Sequence, residues 1–451
     1  MSDRTDPRSH VPTTTAPDLW AAPCPGSPVD AVVDVPGSKS LTNRWLVLAA
    51  LADGPCTLRR PLRSRDSERM VEALRRLGAE VDDSSDDAWS VVPGAAVRGG
   101  VEIDAGQAGT VMRFVPPVAA MADGPVGFDG HETARLRPVG PVLEALRALG
   151  VRVEDDGRGT LPFTVHGRGR VPGGEVAIDA SASSQFVSAM LLAGARYEHG
   201  LTVRHTGTAV PSAAHLDMTL QVLADVGVRA SHPDPVTWRV EPGRVAAFDR
   251  SVEPDLSSAA PFLALAAVTG GRVRLRGWPR TTTQPGAWLV GALGQMGARC
   301  TLDDDGLLVE GPDGPLRGGD HDLSDVGELT PVVAAVAVLA DGPSRLGGVA
   351  HLRGHETDRL AALAAEITRL GGSVRETDDG LEIRPTPLHG AQLRTYHDHR
   401  MAMFAAVVGA AVPGVVVQDV ATADKTFPGF HLAWERAVAT ADRPRPEGAP
   451  A

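Results

Sequence analysis

The chain has 451 residues, enough for two or three domains, and its 43% hydrophobic content can fill a sizeable core, so a globular protein is expected. Its 56 acidic residues against 44 basic ones leave a formal net charge of −12, which excludes binding to nucleic acid or a membrane surface through bulk charge. Three dispersed cysteines, Cys24, Cys56 and Cys300, exclude a disulfide scaffold or a spaced zinc site and fit a reducing cytoplasm; nothing points to a metal or an organic cofactor.

From the N-terminus, residues 1–28 are polar and rich in Pro and Thr, without the apolar core of a signal peptide. No run of about 18 apolar residues follows anywhere, so a cytoplasmic protein that spans no membrane is expected. Residues 1–28 and the tail 442–451 hold too few large apolar residues to offset their ordering entropy, and both are expected to be disordered. VDAVVDVPG, residues 29–37, reads as a strand followed by a turn.

Beyond it a unit of about 70 residues recurs, with copies beginning near Ser40, Gly109, Ser184, Ser257, Gly327 and Asp398. Each opens with a polar loop and an Ala/Val/Leu helix such as VSAMLLAGA or VVAAVAVLA, apolar nearly all round and therefore buried. A second, amphipathic helix follows, and Gly78, Gly150, Gly227, Gly297 and Gly371 are placed to cap its C-terminus in successive copies. The sixth copy stops after HLAWERAVA, so its missing strands are expected from the N-terminal VDAVVDVPG. The chain thus predicts an α/β fold of two similar lobes, each with three βαβαββ units whose buried parallel helices are wrapped by sheets. Lobe 1 is expected to hold both chain ends, residues 29–36 plus 252–441, and lobe 2 residues 37–251. An open scaffolding solenoid is the bland alternative, but it gives no reason for charged loops that differ from copy to copy.

In chain order those loops carry the chemistry. PGSKSLTNR sets Lys39 and Ser40 before the first buried helix and Arg44 one turn inside it, an anion site unless Ser40 is only a cap and Lys39 a surface lysine. GQAGTVMR brings Gly106 and Gly109, which let a ligand approach the backbone, with Thr110 as helix cap. FDGHETARLRP holds Arg135 and Arg137, of which Arg137 is favoured as ligand and Arg135 as solvated. SASSQF offers Ser183, Ser184 and Gln185 for a phosphate or polyol, and Ser212 heads a later amphipathic helix. LSDVGELTP places Asp325 and Glu328 at a helix start, as a general base or merely as charge complementing the helix dipole. HETDR gives His355, Glu356 and Arg359, with His355 and Arg359 on one face if the helix has begun; HDHRMAM gives Asp398 and Arg400, and ATADKTFPGF gives Lys425. An acidic chain that collects cations at equivalent loops is building a local cleft for an anionic ligand.

PGSKSLTNR, AGTVMR, SSQF, HETDR, HDHRMAM and ADKTFPGF stand in the order and spacing of the enolpyruvyl transferases, and over roughly 31–440 the chain resembles the 5-enolpyruvylshikimate-3-phosphate synthase family. The resemblance implies enolpyruvyl transfer from phosphoenolpyruvate to the 5-hydroxyl of shikimate 3-phosphate, with release of phosphate, in a monomer that needs no cofactor. It further implies that Lys39, Gly109, Arg137, Arg359, Arg400 and Lys425 hold phosphoenolpyruvate, and that Lys39, Ser40, Arg44, Ser183, Ser184, Gln185, Ser212, Glu328 and His355 hold shikimate 3-phosphate. Glu328 would be the base, Glu356 the acid for the methylene carbon and Lys39 a partner in either transfer; the herbicide glyphosate would compete for the phosphoenolpyruvate site. Three positions depart from the family pattern: Gln107 for Asn, Phe114 for Pro, and His355 for a Lys whose charge is fixed. The family's base is often Asp, so Asp325 stays open beside Glu328. The alternatives are UDP-N-acetylglucosamine enolpyruvyl transferase, whose loop cysteine FDGHETARLRP lacks, and a nonenzymatic anion-binding repeat protein.

Overall fold

The computed structural model describes residues 18–442. Disorder expected for residues 1–17 and 443–451 lies outside those described.

The six apolar segments form helices that are buried along nearly their whole length, each paired with an amphipathic helix. In lobe 2 these are α1 (Lys39–Ala50) with α2 (Arg65–Arg76), α3 (Gly109–Ala119) with α4 (Gly140–Ala148), and α5 (Gln185–Gly194) with α6 (Ala214–Asp225). In lobe 1 they are α7 (Leu256–Thr269) with α8 (Trp288–Gln295), α9 (Thr330–Ala337) with α10 (Arg359–Arg369), and α11 (His399–Gly409) with α12 (Phe430–Val438). The five glycines that close the amphipathic helices all take positive φ, between 78° and 111°, a region that costs other residues about 1 kcal/mol or more.

Among the described residues six small sheets wrap the helices, five of four strands and one of three. Two separate hydrophobic cores result. One is drawn from Leu41 through Val252. The other gathers Trp20 to Val35 and Leu256 to Val438. Both chain ends therefore meet in lobe 1.

The N-terminus departs from expectation in two ways. Residues 18–28 do not all lie outside the fold, because Leu19–Ala21 is a strand paired antiparallel to Val416–Gln418, with Trp20 buried and its indole N–H donated to Glu435 at 2.7 Å. That strand, not VDAVVDVPG, completes the sixth sheet; a single buried Trp outweighs the polar residues around it. Asp30–Val33 instead pairs in parallel with Arg272–Leu275 of the fourth copy, while Asp249–Ser251, just ahead of the fourth copy, pairs in parallel with Cys56–Arg59 of the first. The two halves exchange leading strands, so the chain crosses between lobes twice.

The crossings run side by side. Ser38 N–H donates to the Glu253 carbonyl at 2.8 Å, Asp255 N–H to the Pro36 carbonyl at 2.8 Å, and Gly37 bridges Pro254. A Cβ on Gly37 would stand 2.2 Å from the Arg60 carbonyl oxygen, so only glycine fits there.

Candidate active site

All six buried helices direct their N-termini at one interlobe cleft of about 540 Å³, lined by residues from every copy. Unpaired N–H groups and the positive ends of the helix dipoles make its walls favourable to anions before any side chain is counted.

Lobe 2 contributes the first wall. Ser38 caps α1, accepting from Leu41 N–H at 3.4 Å, and Lys39 begins the helix with its own N–H on Asp255 at 3.0 Å. Its ammonium reaches Asp66 at 3.4 Å. Burial lowers the Lys39 pKa, Asp66 works against this, and neighbouring Lys425 adds to it. Gly109 opens α3 with the Arg137 guanidinium directly over it, and Arg137 also donates to the Gln107 carbonyl at 3.2 Å. Arg135 turns to the surface and pairs with Asp129 at 2.7 Å. Ser183, Ser184 and Gln185 stand at the head of α5 and line the cleft, as does Ser212. Ser212 N–H donates to the Ser324 carbonyl at 3.1 Å, where the two lobes touch.

Lobe 1 holds the denser charge. Asp398 caps α11 and grips Arg359 with both oxygens, at 2.7 and 3.2 Å, while also accepting the Arg400 amide at 2.9 Å. Burial opposes the Arg359 charge, but Asp398 and Glu356 more than offset it. Arg400 donates to the Ser257 carbonyl at 2.8 Å, and burial lowers its pKa. Glu356 joins Lys425 at 2.5 Å and His399 at 3.0 Å. Burial works against its carboxylate, yet His399, Lys425 and Arg359 hold it ionised, well below the usual carboxylate range. His399 itself is held down at about 4 by burial, so at neutral pH it is a neutral donor to Glu356. Ligand atoms of Glu356, Asp398 and His399 lie within 4.8 Å of one another, but Arg359 and Lys425 already supply the charge a metal would bring.

Several expectations change on contact with this geometry. Arg44 does not line the cleft; it is buried beneath it, donating to Thr219 at 2.8 Å and to the Ser40 and His215 carbonyls at 3.0 and 3.1 Å. Its guanidinium lies over the Phe114 ring, at 5.3 Å, and burial pushes its pKa down to about 9. Thr110 does not cap α3: Ala108 holds that position, and the Thr110 hydroxyl accepts from Asn43 at 2.8 Å. Helix α10 starts at Arg359, so His355 precedes it, although its Nδ1 still lies 3.4 Å from the Arg359 guanidinium. Enclosure between the cleft walls, with Arg359, His351 and Arg137 nearby, keeps the His355 imidazole neutral. Gln107 points away from the cleft to His131 and Thr133. Glu328 faces the cleft with Ser257 at 3.4 Å, whereas Asp325 is exposed and off the lining.

Residues that pattern reading passed over are also there. Arg113 donates to Gln185 at 2.8 Å and lies over the Phe186 ring, at 5.2 Å. Asp66, Asp255, Gln284, His215, His351 and His399 line the cleft as well. Arg113 and His399 stood inside quoted motifs; Asp66, in the first turn of α2, and Gln284, in a loop, carry no local signature.

Comparisons with known proteins agree with one another. A sequence model of the family described as EPSP synthase (3-phosphoshikimate 1-carboxyvinyltransferase) matches residues 23–434. The chain is 56% identical over 431 residues to a 3-phosphoshikimate 1-carboxyvinyltransferase of Kocuria rhizophila, covering 93% of this chain and 97% of that one. Among solved structures, an EPSP synthase from Acinetobacter baumannii superposes with TM-score 0.79 at 23% identity, covering 93% and 98% of the two chains. The enolpyruvyl transferase NikO from Streptomyces tendae does so with TM-score 0.73 at 19% identity, covering 93% and 97%. At those identities the structural likeness speaks to the fold alone.

Proposed function

The chain belongs to the EPSP synthase family, and on that premise we propose that its cleft transfers the enolpyruvyl group of phosphoenolpyruvate to the 5-hydroxyl of shikimate 3-phosphate and releases phosphate. It is a transferase of the shikimate route to aromatic amino acids. The observation that carries this is the convergence of Lys39, Arg359 and Arg400 at the heads of α1, α10 and α11, Arg137 from a loop of lobe 2 and Lys425 from the end of the short helix Val420–Lys425, on one cleft in a chain of net charge −12. Incubation with both substrates should release phosphate, and UDP-N-acetylglucosamine should not replace shikimate 3-phosphate as acceptor. Release with neither acceptor would reject the reading.

In this reading shikimate 3-phosphate takes the side rich in neutral hydroxyl and amide groups, with Ser40, Ser183, Ser184, Gln185 and Ser212 in lobe 2 and Glu328 and His355 opposite. Arg44 supports that side from below. Phosphoenolpyruvate takes the cationic side between Arg137 and the Gly109 amide above and Arg359, Arg400 and Lys425 below, with Lys39 at the junction. Glu328 accepts the 5-hydroxyl proton as O5 bonds to C2 of phosphoenolpyruvate, and Glu356 delivers a proton to the methylene carbon, giving a tetrahedral adduct. Glu356, a carboxylate again, takes a methyl proton back as the C2–C3 double bond re-forms and the C2–O bond to phosphate breaks, releasing phosphate. Glu356 rests as a carboxylate, so it takes up from solvent the proton it delivers only when the substrate's charges engage Lys425 and Arg359, lift their hold on it and raise its proton affinity. The cations stabilise the charge gathered on the leaving phosphate.

Gly109 gives a direct test of the phosphoenolpyruvate side. Its φ is not positive, so alanine suits the backbone, but the added Cβ would stand 2.7 Å from the Arg137 guanidinium. Gly109→Ala should leave the melting temperature unchanged and weaken both phosphoenolpyruvate and glyphosate, the longer glyphosate more. Equal loss with a lowered melting temperature would make Gly109 a folding residue.

We also read residues 18–36 plus 252–441 and 37–251 as the two moving bodies, hinged where the crossings pair at Ser38–Glu253 and Asp255–Pro36. The lobes meet at Ser212–Ser324 in this structure; shikimate 3-phosphate, touching both, should favour that closed arrangement in solution, so the radius of gyration from small-angle scattering should fall on its addition, and an unchanged radius counts against the hinge. The reading extends to a cytoplasmic monomer. Among the described residues no helix is long and apolar enough to cross a membrane, and all three cysteines are free.

A further inference from the structure

Outside the cleft, the most elaborate polar arrangement surrounds a carboxylate that no catalytic step uses. Glu366, on α10, is fully buried. One oxygen accepts the Tyr396 hydroxyl at 2.6 Å; the other accepts the Arg394 amide and the Arg369 guanidinium, each at 3.1 Å. Two turns earlier on the same helix, Arg359 is clamped to Asp398. Residues seven apart share a helix face, so α10 holds the segment 394–398 at two points.

Between those points the backbone is strained. Tyr396 and His397 have φ of 55° and 56°, two successive non-glycine residues in the left-handed region, at a cost of order 1–3 kcal/mol each. That turn ends at Asp398, whose amide returns to the Thr395 carbonyl at 2.9 Å and whose carboxylate orients Arg359 and the Arg400 amide. His397 also reaches Asp419 at 3.4 Å; Asp419, at φ 53°, heads the short helix Val420–Lys425.

We propose that Glu366 is a positioning residue for the phosphoenolpyruvate cations, holding through Tyr396 and the Arg394 amide the left-handed turn from which Asp398 sets Arg359 and Arg400. The proposal rests on the reading that those arginines grip phosphoenolpyruvate. Without the clamp the turn relaxes toward ordinary φ, Asp398 moves, the Arg359 guanidinium loses its partner and the head of α11 that carries Arg400 loses its cap, while the lobe 2 residues of the shikimate 3-phosphate side, which bond none of these groups, keep their places. Errors of about 1 Å in such groups are worth up to roughly a hundredfold.

The test is steady-state kinetics with both substrates, alongside melting temperature, on Tyr396→Phe, Glu366→Gln and the double variant Tyr396→Phe/His397→Gly. Tyr396→Phe removes only the hydroxyl, and Glu366→Gln sets an amide donor against the Arg394 and Arg369 donors. Both should raise KM for phosphoenolpyruvate roughly tenfold and leave KM for shikimate 3-phosphate within about twofold. Glycine at 397 makes the left-handed turn inexpensive, so the double variant should regain affinity for phosphoenolpyruvate relative to Tyr396→Phe. If Glu366→Gln does not fold, Tyr396→Phe decides. A lower melting temperature with both KM values unchanged, a parallel rise in both, or no rescue by glycine would overturn the proposal while normal turnover of the unaltered enzyme leaves the functional reading standing. No turnover in the unaltered enzyme overturns both.

Discussion

Replacing Glu356 by Gln should lower kcat by about 10²–10⁴-fold, the range a positioned general acid supplies, with much smaller changes in the KM of either substrate. The amide has the same size and still accepts a hydrogen bond, from Lys425 or His399, so the site keeps its shape. What it lacks is a proton to give. Because Glu356 starts ionised between Lys425, His399 and Arg359, the acid exists only in the ternary complex. Single-turnover measurement should therefore place the loss in the chemical step. A variant with normal kcat and a raised KM would make Glu356 an organiser of Lys425.

Lys39→Ala should reduce kcat/KM by about 10²–10³-fold, comparable to removing one preorganised donor at a developing anion. The fold should survive, since alanine suits the first turn of α1, the Lys39 amide still meets Asp255, and Asp66 keeps the dipole at the start of α2. The pH profile adds a check whose sign is set. Burial places the Lys39 pKa below the ordinary 10.5, so its charge is lost earlier than a surface lysine's as pH rises. KM for phosphoenolpyruvate should climb through that window, and Lys39→Arg should move the climb to higher pH. Stability runs the other way: there the unfolded chain binds more protons than the folded one, so stability attributable to Lys39 increases with pH. Near-normal kcat/KM in Lys39→Ala would remove this lysine from the anion site.

Why the architecture could be read without coordinates is plain from individual segments. VSAMLLAGA and VVAAVAVLA have no polar face, so they had to be buried, and Gly78 or Gly371 at the end of an amphipathic run had to be a left-handed cap, because both properties are local. The same holds for Lys39, Gln185 and Arg400, each within a residue or two of a predicted helix start and each found lining the cleft. Whatever depended on contacts between distant segments was not legible. Only packing shows that Leu19–Ala21 rather than Asp30–Val33 closes the sixth sheet, since both are short strands and the choice turns on where Trp20 finds its cavity. Arg44 is one turn into its helix, where the pattern allows it to face either way; the Thr219 hydroxyl and the His215 carbonyl, more than 170 residues later, draw it beneath the floor. The choice between Asp325 and Glu328 for the cleft rested on one short 3₁₀ turn at Gly327–Leu329, whose rotation no propensity specifies. The pairing of Glu356 with Lys425 and His399 sets its protonation, and such a charge state is a property of three elements brought within hydrogen-bond reach, not of the motif that carries the residue.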